Sequence, residues 1–105
     1  MFITIFKKLF VIAVFTTCFL SQAVFAGDAT AGKSKAALCA GCHGADGISP
    51  SDEVPNLAGQ KAAYLVKAAK DYKTGARKNP MMQSIIGGVS DTDLEDIAAY
   101  YSTLK

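Results

Sequence analysis

The chain has 105 residues, which is enough for one small domain and too few for two. Its formal net charge is +2, and two lysines near the start, Lys7 and Lys8, account for all of it. From residue 27 onwards, basic and acidic side chains balance, so binding to nucleic acid has no electrostatic support.

Residues 1–26 differ from the rest and have the three parts of a secretory signal peptide. The two lysines form a basic start, residues 9–20 are an apolar run, and an Ala-Val-Phe-Ala sequence ends at Ala26. We predict cleavage after Ala26, which leaves residues 27–105 as a single mature domain. An uncleaved anchor is the alternative, but spanning a bilayer takes roughly 20 apolar residues. No stable membrane anchor is therefore expected.

The mature part keeps two cysteines, Cys39 and Cys42, while Cys18 is lost with the leader. Free thiols do not persist in an oxidising, periplasm-like compartment. A domain this small buries too little surface to be stabilised easily by its own core, and this one has few large apolar side chains. We therefore expect a periplasmic protein in which a covalent staple or a cofactor supplies the missing apolar bulk.

Taken in chain order, the mature sequence first predicts a helix and a long loop. The helix begins at Asp28 or Thr30, both of which are good N-cap residues, and runs to about Leu38. Residues 44–59 contain three glycines and two prolines without hydrophobic periodicity. They predict a loop of about 15 residues, and loops of that length in compact domains are usually functional.

Three further helices follow the loop. The second helix starts near Gln60, ends at Gly75 and has one apolar face, formed by Tyr64, Leu65, Ala68, Ala69 and Tyr72. A short third helix covers residues 81–86. The last helix has Ser90 as its N-cap and a buried stripe of Leu94, Ile97, Ala98, Tyr101 and Leu104. No segment convincingly predicts a strand, so the predicted fold class is all-α.

The stretch from Cys39 to His43, Cys-Ala-Gly-Cys-His, has four interpretations. A disulfide would close a very small loop and restrain little of the unfolded chain. A thioredoxin-like dithiol needs a βαβ context, and a structural zinc site needs four ligands where the mature chain offers two Cys and one His. The spacing is the pattern of c-type haem attachment, in which each thiol forms a thioether and His43 reaches the iron. We favour the haem, with the dithiol and an incomplete metal site as alternatives.

The ligand opposite His43 must come from elsewhere in the chain, and it is not histidine, because the sequence contains only one. The mature methionines are Met81 and Met82. A thioether opposite histidine is a known arrangement in haem proteins, although methionine more often fills gaps in a core. Neighbouring side chains point in different directions on a regular backbone, so only one of the two is expected to reach the iron.

At these residues the sequence resembles the class I c-type cytochromes, namely the small bacterial monohaem members and single domains of the dihaem periplasmic ones. The resemblance covers the whole of residues 27–105. Its motifs are Gly27-Asp28 with Gly32, Cys39 to Gly44, Pro55 to Gln60, Gly75-Ala76-Arg77, and the helix from Ser90 to Tyr101. It implies a small class I fold of three to four helices wrapped around one covalently bound haem c.

The resemblance also implies roles for individual residues. In this family the axial methionine precedes the terminal helix by a turn or two, which favours Met82 over Met81. The implied cofactor-binding residues are therefore Cys39, Cys42, His43 and Met82, with His43 and Met82 as the iron ligands.

Other positions of the resemblance imply supporting contacts. Pro55 would offer its carbonyl to the second ring nitrogen of His43, which orients the ring and raises its basicity. Gly32 would let the first helix approach the last one closely, with Tyr100 or Tyr101 packed across the contact. Arg77 would lie near the haem propionates.

The function implied is one-electron Fe(III)/Fe(II) transfer by an exported carrier that is not an enzyme. Its partners would be other redox proteins, a donor and an acceptor, met through small and short-lived interfaces. One alternative is a fixed haem-binding subunit of a larger oxidoreductase. Another is a haem peroxidase or gas sensor with a labile Met82, which would need polar groups over the open face that the sequence does not offer.

Overall fold

The computed structural model describes residues 27–105, so the predicted signal peptide and its cleavage site lie outside the described residues. Within them the chain forms five helices and no strand, which confirms the all-α fold class. The helices are α1 (Ala29–Lys35), α2 (Ala37–His43), α3 (Ala62–Thr74), α4 (Pro80–Gly87) and α5 (Asp91–Thr103). None of these five has the length and apolar character needed to cross a membrane.

The first predicted helix is in fact two short helices. Of the two predicted caps, Asp28 is the one used, because its carboxylate accepts hydrogen bonds from the backbone N–H groups of Thr30 and Ala31 at 2.9 and 3.2 Å. At Ala36 the regular helix is interrupted by a turn, with φ at −67° and ψ at −7°, and α2 begins at the next residue. This break gives the described chain five helices instead of the three to four expected, and it makes the cysteine motif a helix of its own.

The segment between α2 and α3 is the long loop that the sequence predicts. The backbone N–H groups of Leu57 and Ala58 donate to the carbonyl of Gly47, at 2.8 and 3.0 Å, and that of Gly59 donates to Tyr101 at 2.9 Å. Gly47 has a φ of 72°, and a Cβ there would lie 2.8 Å from the nitrogen of Ala58. A side chain at residue 47 would therefore both strain the backbone and push the two arms of the loop apart.

The first and last helices cross with their backbones in contact. A Cβ placed on Gly32 would lie 1.9 Å from the carbonyl oxygen of Asp96, so only glycine allows this approach. Tyr101 is 1% exposed and directs its hydroxyl to the carbonyl of Ala36, at 3.5 Å. The close approach expected for Gly32 is therefore present, and Tyr101 is the tyrosine buried beside it.

A charged cluster closes the same crossing. Lys35 Nζ lies 2.6 Å from Asp96 Oδ2 and 2.7 Å from Asp93 Oδ1, while the backbone N–H of Asp28 donates to Asp96 Oδ1 at 2.8 Å. The hydrogen bonds with Asp93 and Asp96 raise the pKa of Lys35 to about 12. The hydrogen bond from Lys35, followed by that from Asp28, lowers the pKa of Asp96. The buried carboxylate of Asp96 is thus paired on both oxygens.

The remaining helix ends follow their sequence signals. Gly75 ends α3 in the left-handed conformation, with φ at 81°. Asn79 caps α4, since its Oδ1 accepts from the backbone N–H groups of Met81 and Met82, both at 3.1 Å. Ser90 caps α5 through the N–H of Asp93 at 3.1 Å. The two methionines are therefore the second and third residues of α4, in its first turn.

The core is centred on α5 and the end of α4. Its buried members are Ala36, Ile86, Val89, Leu94, Ile97 and Tyr101. Four of the five residues predicted for the stripe of α5 are buried, and the fifth, Leu104, is partly buried and packs against the core. By contrast, α3 contributes no fully buried residue, although its apolar face is continuous. That face lines a cavity.

Candidate functional site

A cavity of about 390 Å³ lies between the helices, and its size is within the usual range for small-molecule and cofactor sites. Its walls come from α2, α3, α4 and α5 and from the end of the long loop. All five residues of the predicted apolar face of α3 belong to this wall: Tyr64, Leu65, Ala68, Ala69 and Tyr72. The face therefore looks towards the cavity, which explains why it is apolar without being buried.

Helix α2 places the whole cysteine motif on one wall. Cys39, Cys42 and His43 all line the cavity, since positions i, i+3 and i+4 share one face of a helix. Both thiols are free, Cys42 is exposed and Cys39 is partly buried. Burial raises the pKa of the Cys39 thiol, and a hydrogen bond with Tyr101 partly offsets the rise. The two sulfur atoms and the imidazole are thus presented to the same space.

His43 is oriented by a hydrogen bond from its ring to the loop. The side chain is 6% exposed, and Nδ1 lies 2.7 Å from the carbonyl oxygen of Pro55. Because a carbonyl oxygen only accepts, Nδ1 carries the proton and donates it. For the other ring nitrogen, Nε2, the described residues provide no hydrogen-bond donor. The contact that the resemblance implied for Pro55 is present, and it leaves Nε2 available as a ligand atom.

Helix α4 brings both candidate methionines to the cavity, but to different environments. Met82 is partly buried and packs against the core, whereas Met81 is 65% exposed. Both side chains line the cavity. The difference in burial favours Met82 as the inward-facing residue of the pair.

Arg77 and Tyr72 pair at the cavity. The Arg77 guanidinium lies 5.0 Å from the centroid of the Tyr72 ring, which is a cation–π arrangement, and both residues line the cavity. Three other polar side chains contribute to the lining from the loop, namely Glu53, Asn56 and Gln60. Arg77 is exposed, and its place beside the cavity agrees with the role near a propionate that the resemblance implied.

The donor atoms and the walls together fit a c-type haem. Two thiols on one helix face can form the thioethers, while one imidazole nitrogen and one thioether sulfur are available as iron ligands. The walls from α3 and α5 are mainly apolar, as a porphyrin requires. Within residues 27–105, no group of three or more His, Cys, Asp or Glu side chains is arranged to hold a metal ion, so the zinc alternative finds no ligand set there.

Sequence reasoning identified the cavity-lining donors but missed several supporting contacts. The sequence carries no signal for the pairing of Asp96, because this residue stands in an acidic run at the start of α5. The contact between Ser49 and Asn56, at 2.7 Å, had no signal beyond two turn-forming residues in a loop. The cap on α4 had a signal in retrospect, since Asn followed by Pro is a common start of a helix.

Comparison with known proteins identifies the family and the fold. The sequence model of the family described as Cytochrome c matches residues 29–105. The chain belongs to the cytochrome c family. Family membership implies a covalently bound haem c, and it confirms the resemblance to class I c-type cytochromes.

Two relatives of this cytochrome differ in length, one being about twice as long and the other slightly shorter. It is 47% identical over 99 residues to cytochrome c4 of Pseudomonas aeruginosa, which covers 94% of this chain and 49% of the relative. It is 47% identical over 81 residues to cytochrome c-554(548) of Halomonas halodenitrificans, covering 74% of this chain and 98% of the relative. The chain therefore spans about half the length of the cytochrome c4 it matches and nearly all of the shorter protein.

A solved structure agrees with the helical architecture. Reduced recombinant cytochrome c4 from Pseudomonas stutzeri aligns with a TM-score of 0.72 at 47% identity, over 76% of this chain and 47% of that one. The class I cytochrome c fold expected from the sequence is confirmed. A further relative, 43% identical over 70 residues, is a thiosulfate dehydrogenase electron acceptor of Stutzerimonas stutzeri.

Proposed function

We propose that this cytochrome is an exported electron carrier with one haem c, attached through Cys39 and Cys42 and ligated by His43 and Met82. The observation that carries the proposal is the hydrogen bond from His43 Nδ1 to Pro55, which directs Nε2 to the cavity that both cysteines and Met82 line. When bound, the haem supplies a one-electron Fe(III)/Fe(II) couple. The residues around the haem would ligate its iron and shield it from water.

His43 and Met82 would hold the iron of a bound haem, the first through its imidazole and the second through its thioether. An iron held by both side chains would offer no coordination site to a substrate, so electron transfer is the activity that is left. A thioether is neutral and soft, which favours Fe(II) and raises the potential. The Pro55 hydrogen bond makes the His43 ring a stronger donor and acts in the opposite direction. These two opposing effects both contribute to the reduction potential of the haem.

The apolar walls act in the same direction as the thioether. Side chains from α3 and α5 exclude water from the cavity, and a low-dielectric environment disfavours the more highly charged ferric state. Cys42 is exposed, so the edge of a haem bonded to it would lie near the surface, where a partner could approach. We infer transient contacts with a redox donor and a redox acceptor in the periplasm, consistent with the name of the electron-acceptor relative.

Visible spectra of the purified mature protein test the ligand set. We expect a low-spin c-type spectrum in both oxidation states and, in the ferric state, a band that reports sulfur–iron ligation. Met82→Ala should abolish this band, and Met81→Ala is the matched control because its side chain is exposed. Loss of the band in Met81→Ala instead would show that the ligand is Met81.

Mass spectrometry of the same material tests the attachment and the number of haems. We expect the mass of residues 27–105 plus one porphyrin with its iron. A polypeptide mass without the added haem would contradict the proposal. A haem-loaded protein whose ferrous form readily binds carbon monoxide at neutral pH would favour a gas sensor or peroxidase, and co-purification with a stoichiometric partner would favour a fixed subunit.

A further inference from the structure

Five residues form a closed ring of contacts around the back of His43. His43 Nδ1 donates to the carbonyl of Pro55 at 2.7 Å, and Pro55 is joined to Asn56 by the peptide bond. Asn56 Oδ1 accepts from the backbone N–H of Ser49 at 2.7 Å. Ser49 Oγ lies 3.3 Å from the carbonyl oxygen of Cys42 and 3.0 Å from that of Ser51, so its single proton is shared between these two acceptors. Cys42 is joined to His43 by the peptide bond, which completes the ring. We call these five residues the 42–56 ring.

The covalent structure of the chain gives Asn56 direct control over the acceptor for His43. The carbonyl oxygen of Pro55 belongs to the peptide group whose nitrogen is that of Asn56, and this group is planar. Fixing the side chain of Asn56 to Ser49 therefore limits the rotation of the plane that carries the oxygen. On the other side of Asn56, the N–H of Leu57 is bound to Gly47 at 2.8 Å. Asn56 is thus restrained by one hydrogen bond of its side chain and one of the following peptide group, which reach seven and ten residues back along the loop.

Pro55 and Asn56 lie in a loop that forms part of the cavity wall, whereas the His43 ring that they orient is 6% exposed. The side-chain oxygen of Asn56 is used on a backbone group seven positions away. The loop has no helix or strand to hold residue 55 in place. The hydrogen bonds of the ring perform that task.

We propose that Asn56 is a positioning residue, which holds the Pro55 carbonyl against His43. It thereby sets how strongly His43 donates electrons to the iron of a bound haem, and so the reduction potential of that haem. The inference deepens the proposed function and rests on it. A firmly held acceptor makes the imidazole a stronger donor, which stabilises Fe(III). Releasing the acceptor weakens this effect, so that Fe(II) is favoured and the potential rises.

The test compares two variants of the haem-loaded protein, Asn56→Ala and Ser51→Ala. Ser51→Ala is the matched control, because it removes a local hydrogen bond of the same loop, from the N–H of Glu53 to Ser51 Oγ at 3.2 Å, outside the ring. For Asn56→Ala we expect the Fe(II)/Fe(III) ratio at a fixed applied potential to rise about threefold, equal to a shift of about 28 mV for one electron. Ser51→Ala should leave the potential at its wild-type value.

A second measurement follows the proton that His43 donates. In the ferrous protein, the exchange rate of the Nδ1 proton, read by NMR, should increase about fivefold in Asn56→Ala, the effect of losing one hydrogen bond. Asn56→Asp keeps the acceptor oxygen and should restore slow exchange, whatever its added charge does to the potential. This variant also serves if Asn56→Ala fails to take up haem.

The outcomes separate this inference from the proposed function. A wild-type protein without haem overturns the proposed function, and this inference with it. A haem-loaded Asn56→Ala with wild-type potential and wild-type proton exchange overturns this inference alone. Fast exchange in Asn56→Asp would also overturn it, because the acceptor would then be present without effect.

Discussion

At the crossing of α1 and α5, the two backbones are in contact, and the charged groups beside them are paired with other protein groups. Gly32 lies against Asp96, whose buried carboxylate is held by Lys35 and by the N–H of Asp28. By comparison, α3 presents its apolar face to the cavity, and none of its residues is fully buried. The first region is stabilised by the polypeptide alone, whereas the second is shaped for a group that the polypeptide must acquire.

This difference separates stability from function along the chain. Changes at the crossing should reduce the free energy of unfolding and leave the haem environment unaltered in the molecules that remain folded. Changes around the cavity should alter spectra or potential even where they cost little stability. The four predictions below test that separation, from the largest expected effect to the smallest.

Gly32→Ala should be the most destabilising of these substitutions. Its Cβ would lie 1.9 Å from a backbone oxygen of α5, so the two helices must move apart. Overpacking of this kind costs about 3 kcal/mol, which denaturant unfolding of the haem-loaded protein would measure. Gly87→Ala is the control, because a Cβ there meets nothing within 4 Å, and it should be neutral or slightly stabilising. Equal stability of the two variants would contradict the close contact.

Asp96→Asn should lower stability in a pH-dependent way. The folded protein lowers the pKa of Asp96, so its contribution is present above the unfolded value of 3.8 and is lost as the pH falls through the lower folded pKa. The gap in unfolding free energy between wild type and variant should therefore be largest near neutral pH and should close in acid. Asp52→Asn, at an exposed loop carboxylate, provides the control. A gap that does not change with pH would argue against the ion pair.

Asn79→Ala should combine a modest loss of stability with a change at the iron. Removing an N-cap costs about 1 kcal/mol, and this cap binds the N–H of Met82 itself. The sulfur–iron band should therefore disappear at a lower temperature than in the wild type. Ser90→Ala removes the cap of α5 and should cost similar stability without a selective effect on the band. If both variants lose the band only on global unfolding, the cap does not support the ligand.

Arg77→Ala should have the smallest effect on stability. An exposed cation–π contact contributes about 0.5 kcal/mol, and the guanidinium of Arg77 lies 5.0 Å from the Tyr72 ring centroid. Loss of a positive charge beside the cavity should also lower the potential, because Fe(II) carries one positive charge less than Fe(III). Tyr72→Phe keeps the ring face and should retain the contact. A potential that is unchanged in Arg77→Ala would place the guanidinium away from the haem.

Much of this structure could be predicted from local sequence. The N-caps Asp28 and Ser90, the end of α3 at Gly75 and the loop after His43 are short-range features, because each depends on the conformational preference of a few neighbouring residues. The cysteine motif is equally local. The long-range contacts could not be predicted in the same way, because nothing in the acidic run of α5 distinguishes the buried Asp96 from its more exposed neighbours.

The sequence by itself determined that this is a small all-α protein with a haem-attachment motif on one of its segments and two methionines as candidate ligands. Only the tertiary structure decided which donors meet: α2 and α4 face one cavity, Pro55 accepts from His43, and Met82 is more buried than Met81. The physical reason is range. Helix boundaries depend on interactions within a turn of the chain, whereas a ligand set depends on packing between helices that are far apart in sequence.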